Sequence, residues 1–383
     1  MKRLSTKLIF VTGGVLSSLG KGITSASTGV ILKGSGFNVN IMKFDPYINV
    51  DSGTMNPFQH GEVYVTKDGA ETDLDLGHYE RFITRDMNGD NNVTTGKVYS
   101  HVLEKERKGE YLGKTVQVIP HITDEIKSSI YKLVNKDDDF LICEIGGTVG
   151  DIESQPFLEA IRQIKLEHPE DVLFLHLTLV PIITSTGELK TKPTQHSVRE
   201  LRRIGIQPDF LGARSQIELT EEIKKKISLF CNVPVKRVIS LPDLKSIYEV
   251  PIELEKQDFS KQILNFFNMF EKRRSNYMGN WKKFLHNYYN SEKTIKLGIV
   301  GKYVDLTDSY MSIREAVYHA AAFLNLEMDI EWFESEDVEE KGAEILSECG
   351  GILIPGGFGE RGIEGKVKAA QYARENKIPC FGI

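Results

Sequence analysis

A glycine-rich stretch near the N-terminus has the composition of a phosphate-binding loop. Gly13–Gly22 reads GGVLSSLGKG and lies between an apolar run, Leu8–Val11, and a helical pattern that continues to about Lys33. Glycines let a backbone wrap around a polyphosphate, the following helix N-terminus offers free N–H donors, and Lys21 adds a positive charge. A strand, a loop, a lysine and a helix in this order favour nucleotide binding over a glycine-rich turn without a ligand.

The loop departs from the standard P-loop, which is GxxxxGK followed by Ser or Thr. Five residues instead of four separate Gly14 from Gly20, and Gly22 stands where the magnesium-binding hydroxyl would be. A metal that accompanies the nucleotide must therefore find its oxygen ligands elsewhere in the chain. Mg²⁺ prefers one or two carboxylates together with phosphate oxygens.

Two acidic positions are candidates for that metal. Glu144 is near the end of the apolar run Phe140–Ile145, which predicts a strand that ends at the same sheet edge as the phosphate loop. A charged residue at the end of an apolar strand needs a partner, so Glu144 is the stronger candidate. Asp75 lies in the acidic stretch Glu71–Gly77 (ETDLDLG), where plain solvation of any single carboxylate remains an open alternative.

The elements that must position these residues predict an α/β fold with a P-loop-type, mainly parallel sheet covered by helices. Apolar runs predict strands, and helical patterns such as Phe157–Glu167 alternate with them. The predicted strands are Leu8–Val11, Asn38–Phe44, Phe140–Ile145 and Val172–Val180. Parallel strands that alternate with helices are buried on both faces, which explains why these runs are continuously apolar.

A second α/β pattern begins at Ile295. It contains predicted strands at 295–300, 328–332, 351–355 and 378–383, and predicted helices at 312–324 and 363–376. The segment Lys256–Thr294 is rich in aromatic residues and lysines, and it predicts a helical end to the first domain followed by a linker. We therefore expect a first domain over residues 1–270, a linker over 271–293, and an incomplete second α/β domain over 294–383.

Composition limits the classes of function. A length of 383 residues favours two domains, and a formal net charge of −6 argues against a general nucleic-acid-binding protein. The four cysteines lie far apart in sequence and indicate neither a zinc site nor a disulfide framework, so we expect a reducing cytoplasm. The apolar run that follows the basic N-terminus is too short for a signal peptide or a membrane span.

Seven stretches resemble the amidoligase domain of the CTP synthase family, in the family's own order. They are Gly13–Ile23 (GGVLSSLGKGI), Lys43–Val50 (KFDPYINV), Gln59–Val63 (QHGEV), Asp73–Phe82 (DLDLGHYERF), Gly113–Thr123 (GKTVQVIPHIT), Glu144–Glu153 (EIGGTVGDIE) and Lys190–Ser197 (KTKPTQHS). No single stretch is decisive, but their joint occurrence over essentially the whole chain is very specific.

The resemblance implies an ATP site with bound Mg²⁺. The implied ATP-binding residues are Ser18, Leu19, Gly20, Lys21, Gly22, Ile23, Asp75, Pro242, Asp243 and Leu244. Asp75 and Glu144 would hold the metal, and Lys21 and Lys43 would be the catalytic lysines. Pro242 departs from the family, which has a polar or basic residue near the adenine ring, so this position is expected to offer backbone contacts.

The resemblance also implies a site for UTP, which the feedback inhibitor CTP would share. The implied residues are Ser17, Asp151, Ile152, Glu153, Lys190, Thr191, Lys192, Pro193, Thr194, Gln195 and Lys226. Without the resemblance, Lys226 would be interpreted as a solvated charge on a helix. His60 and His121 also fall in matching stretches, although each alone is more often a structural histidine.

The chemistry implied by the family is phosphoryl transfer followed by substitution. The γ-phosphate of ATP would pass to O4 of UTP, and ammonia would then displace phosphate from C4. The protein would mainly position the reactants and neutralise charge, through Lys21, Lys43 and Mg²⁺. The family further implies a homotetramer with active sites at subunit contacts, and GTP as the activator of glutamine use.

Residues 295–383 resemble the beginning of a class I glutamine amidotransferase domain. Pro355–Gly359 (PGGFG) would be its oxyanion loop, with Gly357 as a glutamine-binding position. In the family a nucleophilic cysteine follows Gly382-Ile383. Cys380 lies four residues before that turn, so we expect it to be a buried packing residue. The sequence thus predicts ammonia rather than glutamine as the nitrogen donor for this chain.

Three alternatives to the CTP synthase assignment remain open from the sequence. These are an amide synthase of the cobyric acid type, a non-catalytic nucleotide-binding or assembly module, and an ATPase of the DNA-partitioning type. The stretches at 190–195 (KTKPTQ) and 144–153 favour the CTP enzyme over the first. The overall acidity speaks weakly against the third, which would need a basic face.

Overall fold

The structure is a computed structural model that describes residues 3–56, 60–183, 187–272, 275–291, 293–302, 304, 307–357 and 359–383. Contacts divide the chain into two units. The first comprises Met1–Thr54 with Tyr64–Met278, and the second comprises Met55–Val63 with Gly279–Ile383. Each unit has its own parallel sheet.

The first unit alternates strands and helices. Its described strands are β1 (Lys7–Gly13), β2 (Val39–Asp45), β3 (Tyr64–Val65), β4 (Glu71–Thr72), β5 (Asn92–Thr94), β6 (Phe140–Ile145), β7 (Val172–Leu179), β8 (Ile182–Ile183), β9 (Glu188–Leu189), β10 (Phe210–Ser215) and β11 (Val238–Pro242). Its described helices are α1 (Lys21–Gly34), α2 (Asp75–Ile83), α3 (Thr95–Arg107), α4 (Thr123–Leu133), α5 (Gln155–Glu167), α6 (Lys192–Arg203), α7 (Glu221–Cys231), α8 (Val250–Lys256) and α9 (Phe259–Phe266).

Seven of these described strands form one sheet in the order β11-β10-β7-β1-β6-β2-β5, and every pair is parallel. The α/β class and the parallel sheet predicted from the apolar runs are confirmed. Both faces of the sheet are covered, because alternate strand residues meet different helices. Leu8 and Phe10 belong to the same buried cluster as Phe157 of α5, whereas Ile41 lies beside Gly29 of α1.

The sheet topology fixes where a ligand can bind. Strands β6, β2 and β5 lie on one side of β1, and β7, β10 and β11 lie on the other, so the strand order reverses at β1. In open α/β sheets the ligand crevice lies at the carboxyl ends of the strands, beside such a reversal. The phosphate loop follows β1 directly and therefore occupies that position.

The second unit has a smaller parallel sheet. Its described strands are β12 (Thr294–Gly301), β13 (Glu327–Glu334), β14 (Gly351–Ile354) and β15 (Cys380–Gly382), in the order β13-β12-β14-β15. The remaining described helices are α10 (Tyr277–Tyr289), which begins in the first unit, α11 (Met311–Leu324), α12 (Ser335–Lys341) and α13 (Ile363–Glu375). A separate apolar cluster that includes Val300, Val338, Leu346 and Ile352 forms its core. None of the described helices in the chain is long and apolar enough to cross a membrane.

Candidate functional site

The phosphate loop connects β1 to α1 and exposes the N-terminus of that helix. Gly20 precedes α1 with a φ of 84°, and no side chain caps the first turn. The N–H groups of that turn can therefore bind an anion such as a phosphate. Val15 and Ser18 have positive φ angles of 86° and 58°, a conformation that costs energy for non-glycine residues and is concentrated at functional sites.

Lys21 folds back over the loop that precedes it. Its Nζ donates to the carbonyl oxygen of Gly147 at 2.8 Å, which joins the phosphate loop to the segment after β6. Its aliphatic chain lies against Gly13, where an added Cβ would come within 2.8 Å of Lys21 Cδ. Burial lowers the pKa of Lys21, and the nearby carboxylate of Glu144 opposes this effect. A side chain at position 13 would therefore force the Lys21 side chain to move.

The position of Asp75 explains why Gly22 interrupts the P-loop pattern. A Cβ placed on Gly22 would lie 2.3 Å from Oδ1 of Asp75 and 2.6 Å from its Cγ. The carboxylate thus occupies the space that the side chain of a Ser or Thr would need. An acidic oxygen from α2 therefore lies close to where the side chain of a Ser or Thr at this position would be.

Lys43, at the end of β2, is surrounded by carboxylates. Its Nζ donates to Oδ1 of Asp73 at 2.7 Å and to Oδ2 of Asp75, and it lies 3.7 Å from Oδ1 of Asp45. Asp45 also accepts a hydrogen bond from Nδ2 of Asn92 at 2.7 Å. Burial would lower the pKa of Lys43, but the three aspartates outweigh it and raise this pKa well above its ordinary value. Lys43 is therefore a buried, charged ammonium group.

Glu144 lies beside Lys43, because the two residues are paired in register on β6 and β2. The hydroxyl of Tyr79, which is fully buried, donates to Oε2 of Glu144. Burial, with a contribution from Asp75, raises the pKa of Glu144 to about 7. Burial likewise raises the pKa of Asp45 to about 6. These carboxyl groups would bind a cation more favourably than they bear an uncompensated charge.

The donor set fits Mg²⁺ held jointly by protein and nucleotide. Asp75 and Glu144 line the same cavity, and the charge of Asp75 contributes to the raised pKa of Glu144. Within the described ranges, no group of three or more His, Cys, Asp or Glu side chains could hold a metal ion by itself. One or two carboxylates completed by phosphate oxygens and water is the usual coordination of Mg²⁺ in nucleotide sites.

Two neighbouring cavities lie at the carboxyl ends of the strands in the first unit. The polar one has a volume of about 320 Å³ and is lined by Ser18, Leu19, Gly20, Lys21, Gly22, Ile23, Lys43, Asp45, Asp75, Glu144, Gly146 and Gly147. The other has a volume of about 160 Å³ and is lined by Gly20, Ile23, Thr24, Arg214, Leu241, Pro242, Leu244, Ser246, Ile247, Val250 and Glu253. Gly20 and Ile23 line both, so the two cavities adjoin.

The structure brings most of the sequence-predicted ATP residues to these cavities. All of Ser18–Ile23, with Asp75, line the polar cavity, and Pro242 and Leu244 line the more apolar one. Asp243 lines neither cavity, but its Oδ1 accepts a hydrogen bond of 2.6 Å from Arg214. It therefore contacts a residue that lines the apolar cavity.

Arg214 is the main cavity residue that sequence reasoning missed. It lies near the end of β10, and its Nη1 donates to the carbonyl oxygens of Leu241 and Pro242 at 3.2 and 3.0 Å. These bonds hold the guanidinium group at the wall of the apolar cavity. The signal available in the sequence was the one that identified Glu144, namely a charged residue near the end of an apolar strand. Asp45 and Asp73 were likewise missed as partners of Lys43.

Among the cavities of about 160, 320 and 760 Å³ that the described residues form, none brings the residues predicted to bind the pyrimidine nucleotide together. Lys190 donates to Glu188 at 2.6 Å, and the charge of Lys226 also acts on Glu188, so these two lysines converge. Thr194 Oγ1 lies 3.0 Å from the carbonyl oxygen of Leu179. None of the predicted pyrimidine residues lines either of the two adjoining cavities described above.

The rest of this predicted set is exposed or participates in local contacts. Ser17, Asp151 and Glu153 are exposed, and Ile152 is exposed at the edge of a separate cavity of about 760 Å³. The remaining contacts are local: Lys192 Nζ lies 5.9 Å from the ring centroid of Phe230, and Gln195 Nε2 donates to Thr191 Oγ1 at 3.0 Å, in the stretch that includes Pro193.

Of the histidines in the matching stretches, His121 has the structural role that was expected for an isolated histidine. Its Nδ1 accepts a hydrogen bond of 3.0 Å from the backbone N–H of Gln117. His60 is exposed and belongs to the segment that groups with the second unit. Gln59, at the start of its motif, lies outside the described residues.

In the second unit, two lysines hold the loop predicted to be an oxyanion loop. Lys302 Nζ donates to the carbonyl oxygen of Gly359 at 2.6 Å, and Lys366 Nζ donates to that of Pro355 at 2.8 Å. Both side chains lie near Gly357, where an added Cβ would lie 3.5 Å from Lys366 Nζ and 3.6 Å from Lys302 Cδ. Phe358 of this loop lies outside the described residues.

The prediction that Cys380 is a buried packing residue is wrong. Cys380 begins β15, as the predicted strand required, but its side chain is exposed. The physical reason is its place in the sheet, because β15 pairs only with β14 among the described strands and is an edge strand. The pKa of its thiol is raised by partial burial, so Cys380 lacks the lowered pKa of an activated nucleophile.

The first unit has a parallel sheet with a phosphate loop where the strand order reverses, two buried lysines, and carboxylates that could hold a metal. These features define a nucleotide-binding α/β protein of the P-loop type. Two family models match the chain: "CTP synthase N-terminus" over residues 7–269 and "Glutamine amidotransferase class-I" over residues 305–383. The chain belongs to the CTP synthase family, and it is an enzyme of the ligase class.

Individual relatives agree with this family assignment. A CTP synthase from Caldanaerobacter subterraneus subsp. tengcongensis is 56% identical over 380 residues, which cover 98% of this chain and 70% of that protein. The CTP synthase of Bacillus subtilis is 54% identical over 381 residues, covering 99% and 71%. A solved glutaminase domain of a Trypanosoma brucei CTPS, with bound acivicin, is 41% identical over 23% of this chain and 35% of its own. Its TM-score is 0.22, too low to carry an argument.

Proposed function

We propose that this protein converts UTP to CTP by an ATP-dependent amination. The observation that carries the proposal is the pair of adjoining cavities that share Gly20 and Ile23. One is mainly apolar and of a size that suits a purine base, and the other contains two lysines and the carboxylates for a metal. An extended ATP molecule would place its base in the first and its phosphates in the second. Membership in the CTP synthase family supports UTP as the acceptor.

The proposed reaction has two steps. In the first, O4 of UTP attacks the γ-phosphorus of ATP, the bond to the bridging oxygen breaks, and ADP leaves. In the second, ammonia adds to C4, the C4–O4 bond breaks to release phosphate, and the new amine loses a proton. The uracil oxygen is a poor leaving group, so phosphorylation is what makes the substitution possible.

The chain's own residues would neutralise charge and position the phosphates. Lys21 lies beside the loop backbone that would hold the phosphates, and Lys43 lies across the cavity among Asp73 and Asp75. Asp75 and Glu144 would hold Mg²⁺, which when bound offsets the charge of the transferred phosphoryl group. A bound cation would also give Asp75 a new partner, so Lys43 would be released to contact the nucleotide.

For UTP, and for CTP as feedback inhibitor, we propose the residues from the resemblance: Ser17, Asp151–Glu153, Lys190–Gln195 and Lys226. The convergence of Lys190 and Lys226 on Glu188 supports a polyanion site, because a triphosphate could replace that carboxylate as their partner. The exposure of Asp151–Glu153 fits a homotetramer in which a second copy completes the site. The proposed parts of the chain are an amidoligase domain over 1–270, a linker over 271–293 and a glutaminase-like domain over 294–383.

For the 383-residue chain we propose ammonia as the nitrogen donor. Three of its four cysteines are buried, and exposed Cys380 lies within a strand with a raised pKa, so none has the setting of an activated nucleophile. Gly357 would still belong to a loop for glutamine, and GTP would be the activator of glutamine use in the family. The unpaired thiols support a reducing cytoplasm as the location.

The decisive experiment measures CTP formation from UTP, ATP and Mg²⁺ with either ammonium or glutamine as nitrogen donor. We expect CTP with ammonium and none with glutamine, and no product when ATP is omitted. CTP from glutamine in a preparation free of contaminating glutaminase would refute the assignment of the donor. A folded tetramer that makes no CTP from either donor would refute the synthetase assignment and favour a passive nucleotide-binding module.

A further inference from the structure

A buried polar chain connects the phosphate loop to helix α6. Thr12 Oγ1 lies 2.8 Å from Nδ1 of His176, and Nε2 of His176 lies 2.8 Å from Oγ of Ser197. His176 is fully buried, Thr12 is 1% exposed and Ser197 is 6% exposed. The first link follows from the sheet register, since Thr12 on β1 is paired with His176 on β7. The second link leaves the sheet and reaches the helix above it.

The stability of the sheet does not by itself require a histidine at position 176. The other residues of β7 are apolar apart from Thr178, and a buried imidazole needs a partner for each ring nitrogen. Burial, with a contribution from the charge of Lys21, lowers the pKa of His176 to about 3, so the ring is neutral near pH 7. A neutral imidazole donates a hydrogen bond through one nitrogen and accepts one through the other. The hydroxyl groups of Thr12 and Ser197 can provide the matching acceptor and donor.

The two ends of this series of hydrogen bonds, Thr12 and Ser197, lie next to the two proposed nucleotide sites. Thr12 is followed directly by Gly13 and Gly14 of the phosphate loop. Ser197 is on α6, whose first turn contains the proposed pyrimidine residues Lys192–Gln195. A second contact on the same helix, between Thr194 Oγ1 and Thr178 Oγ1 at 3.1 Å, strengthens its attachment to β7.

The loop and the helix also touch directly. A Cβ on Gly14 would lie 1.8 Å from Ser197 Oγ and 3.4 Å from Cε1 of His176. No side chain larger than hydrogen fits between the loop backbone and the serine hydroxyl. The separation between loop and helix is therefore set at this contact, and the hydroxyl that makes the contact is also the end of the polar chain.

We propose that Thr12, His176 and Ser197 form a positioning chain that holds the phosphate loop and helix α6 at the separation required for phosphoryl transfer from ATP to UTP. The inference rests on the proposed function, since it presumes that the two nucleotides bind at the two ends. None of the three residues lines the cavities assigned to ATP, so each acts through the loop or the helix that it holds. A misplacement of about 1 Å between reacting groups can cost about 100-fold in rate.

The test is a double-mutant cycle on Thr12→Val and Ser197→Ala. Both remove a hydroxyl with little change in volume, and the two residues are linked through His176. We expect each single variant to lower kcat for CTP formation from ammonium about tenfold, with KM for ATP and for UTP within about threefold of the original protein. The double variant should also lose only about tenfold in kcat, because the first substitution has already broken the hydrogen-bonded connection from Thr12 through His176 to Ser197.

Other outcomes would overturn the proposal. Unchanged kcat in the folded single variants would mean that the chain is only a satisfied part of the core. A loss of about 100-fold in the double variant would mean two independent local roles, and a rise in KM for one nucleotide alone would mean a binding role. Thermal unfolding of every variant checks the fold, and His176→Phe, if it folds, should lose kcat as the single variants do.

Ser35→Ala is the matched control, because Ser35 is also buried but its hydroxyl lies 3.1 Å from the carbonyl oxygen of Ile31 within α1. Its kcat should be unchanged. Failure of the inference is distinguishable from failure of the proposed function. If the original protein makes no CTP from ammonium, the function fails and the inference with it. If it is active and the variants match it, only the inference fails.

Discussion

At the scale of single residues, the arrangement of charge at the phosphate end of the sheet indicates which form of the nucleotide would bind. Lys21 and Lys43 share this region with Asp45, Asp75 and Glu144, all of them buried or lining the same cavity. Carboxylates thus offset much of the positive charge that a free triphosphate would need. If the nucleotide and metal sites are as proposed, a triphosphate that arrives with its divalent cation would meet ligands for both charges. We therefore expect the site to bind the metal–nucleotide complex more tightly than either alone.

The balance between burial and neighbouring carboxylates also explains why the pKa values of Lys43 and Lys21 shift in opposite directions. Burial lowers the pKa of Lys21, whereas the surrounding aspartates raise the pKa of Lys43 in spite of its burial. Lys43 is held by Asp73 and Asp75. If Asp75 binds a metal as proposed, this hold on Lys43 would weaken, and we expect metal binding to make Lys43 more available to a phosphate.

A pH-dependent contribution to stability is expected from His176. Its pKa is lowered from 6.5 to about 3 in the folded protein, mainly by burial. Below 6.5 the unfolded chain takes up a proton that the folded chain does not, so this contribution to stability is complete above 6.5 and is lost as the pH falls toward 3. Between about pH 7 and pH 5 the loss is about 2 kcal/mol from this residue.

This expectation is tested by urea unfolding of the original protein and of His176→Gln at both pH values, followed by circular dichroism. The stability advantage of the original protein over the variant should shrink by about 2 kcal/mol on going to the lower pH. His101→Gln, at an exposed position, controls for the removal of an imidazole as such. An advantage that stays constant with pH would show that His176 is not held neutral in the fold.

At the scale of elements, the contact between α1 and α2 determines the form of the phosphate loop. Gly22→Ser restores the residue of the standard P-loop, yet its Cβ would lie 2.3 Å from Oδ1 of Asp75. We expect overpacking to destabilise the first unit by about 1–3 kcal/mol. The double variant with Asp75→Ala should lose less free energy of unfolding than the sum of the two single losses, by at least about 1 kcal/mol. Chemical denaturation measures this difference. Additive effects would mean that α2 moves aside without cost.

Much of this element-scale arrangement could be predicted from the sequence. Phe140–Ile145 was predicted with the exact bounds of β6, because a short apolar run flanked by polar residues and glycines leaves little choice. Parallel strands end at one sheet edge, so Glu144 could be placed beside the phosphate loop before any contact was known. Family resemblance, rather than periodicity, pointed to Pro242 and Leu244, which line the cavity proposed for the base.

Other features depend on tertiary contacts that no local pattern encodes. Arg214 and Asp243 are 29 residues apart, and only the pairing of β10 with β11 brings them together. Cys380 has an apolar neighbourhood in sequence, but its exposure follows from the edge position of β15 in the sheet. The partners of Lys43 could not be chosen among the acidic residues of 71–75, because side-chain direction within that stretch depends on the start of α2.

At the scale of the whole molecule, two separate cores predict two separable responses to ligand. The cluster around Leu8 and Phe157 lies in the first unit, and the cluster around Val300 and Ile352 lies in the second. The chain has two tryptophans, Trp281 and Trp332, and both belong to the second unit. Tryptophan fluorescence should therefore follow the unfolding of the second unit, whereas far-ultraviolet circular dichroism follows both.

A non-hydrolysable ATP analogue with Mg²⁺ should distinguish the two units, because both proposed nucleotide cavities are lined entirely by residues of the first. At about 100 times its Kd, such a ligand stabilises the unit that binds it by about 2.7 kcal/mol. We expect the part of the circular dichroism transition that comes from the first unit to move to higher denaturant, while the tryptophan transition stays in place. The analogue without Mg²⁺ should move it less, since Asp75 and Glu144 would then lack their cation.

A tryptophan transition that moves equally would mean that the units unfold as one cooperative body. A shift of the tryptophan signal alone would place the nucleotide in the second unit and contradict the proposed site.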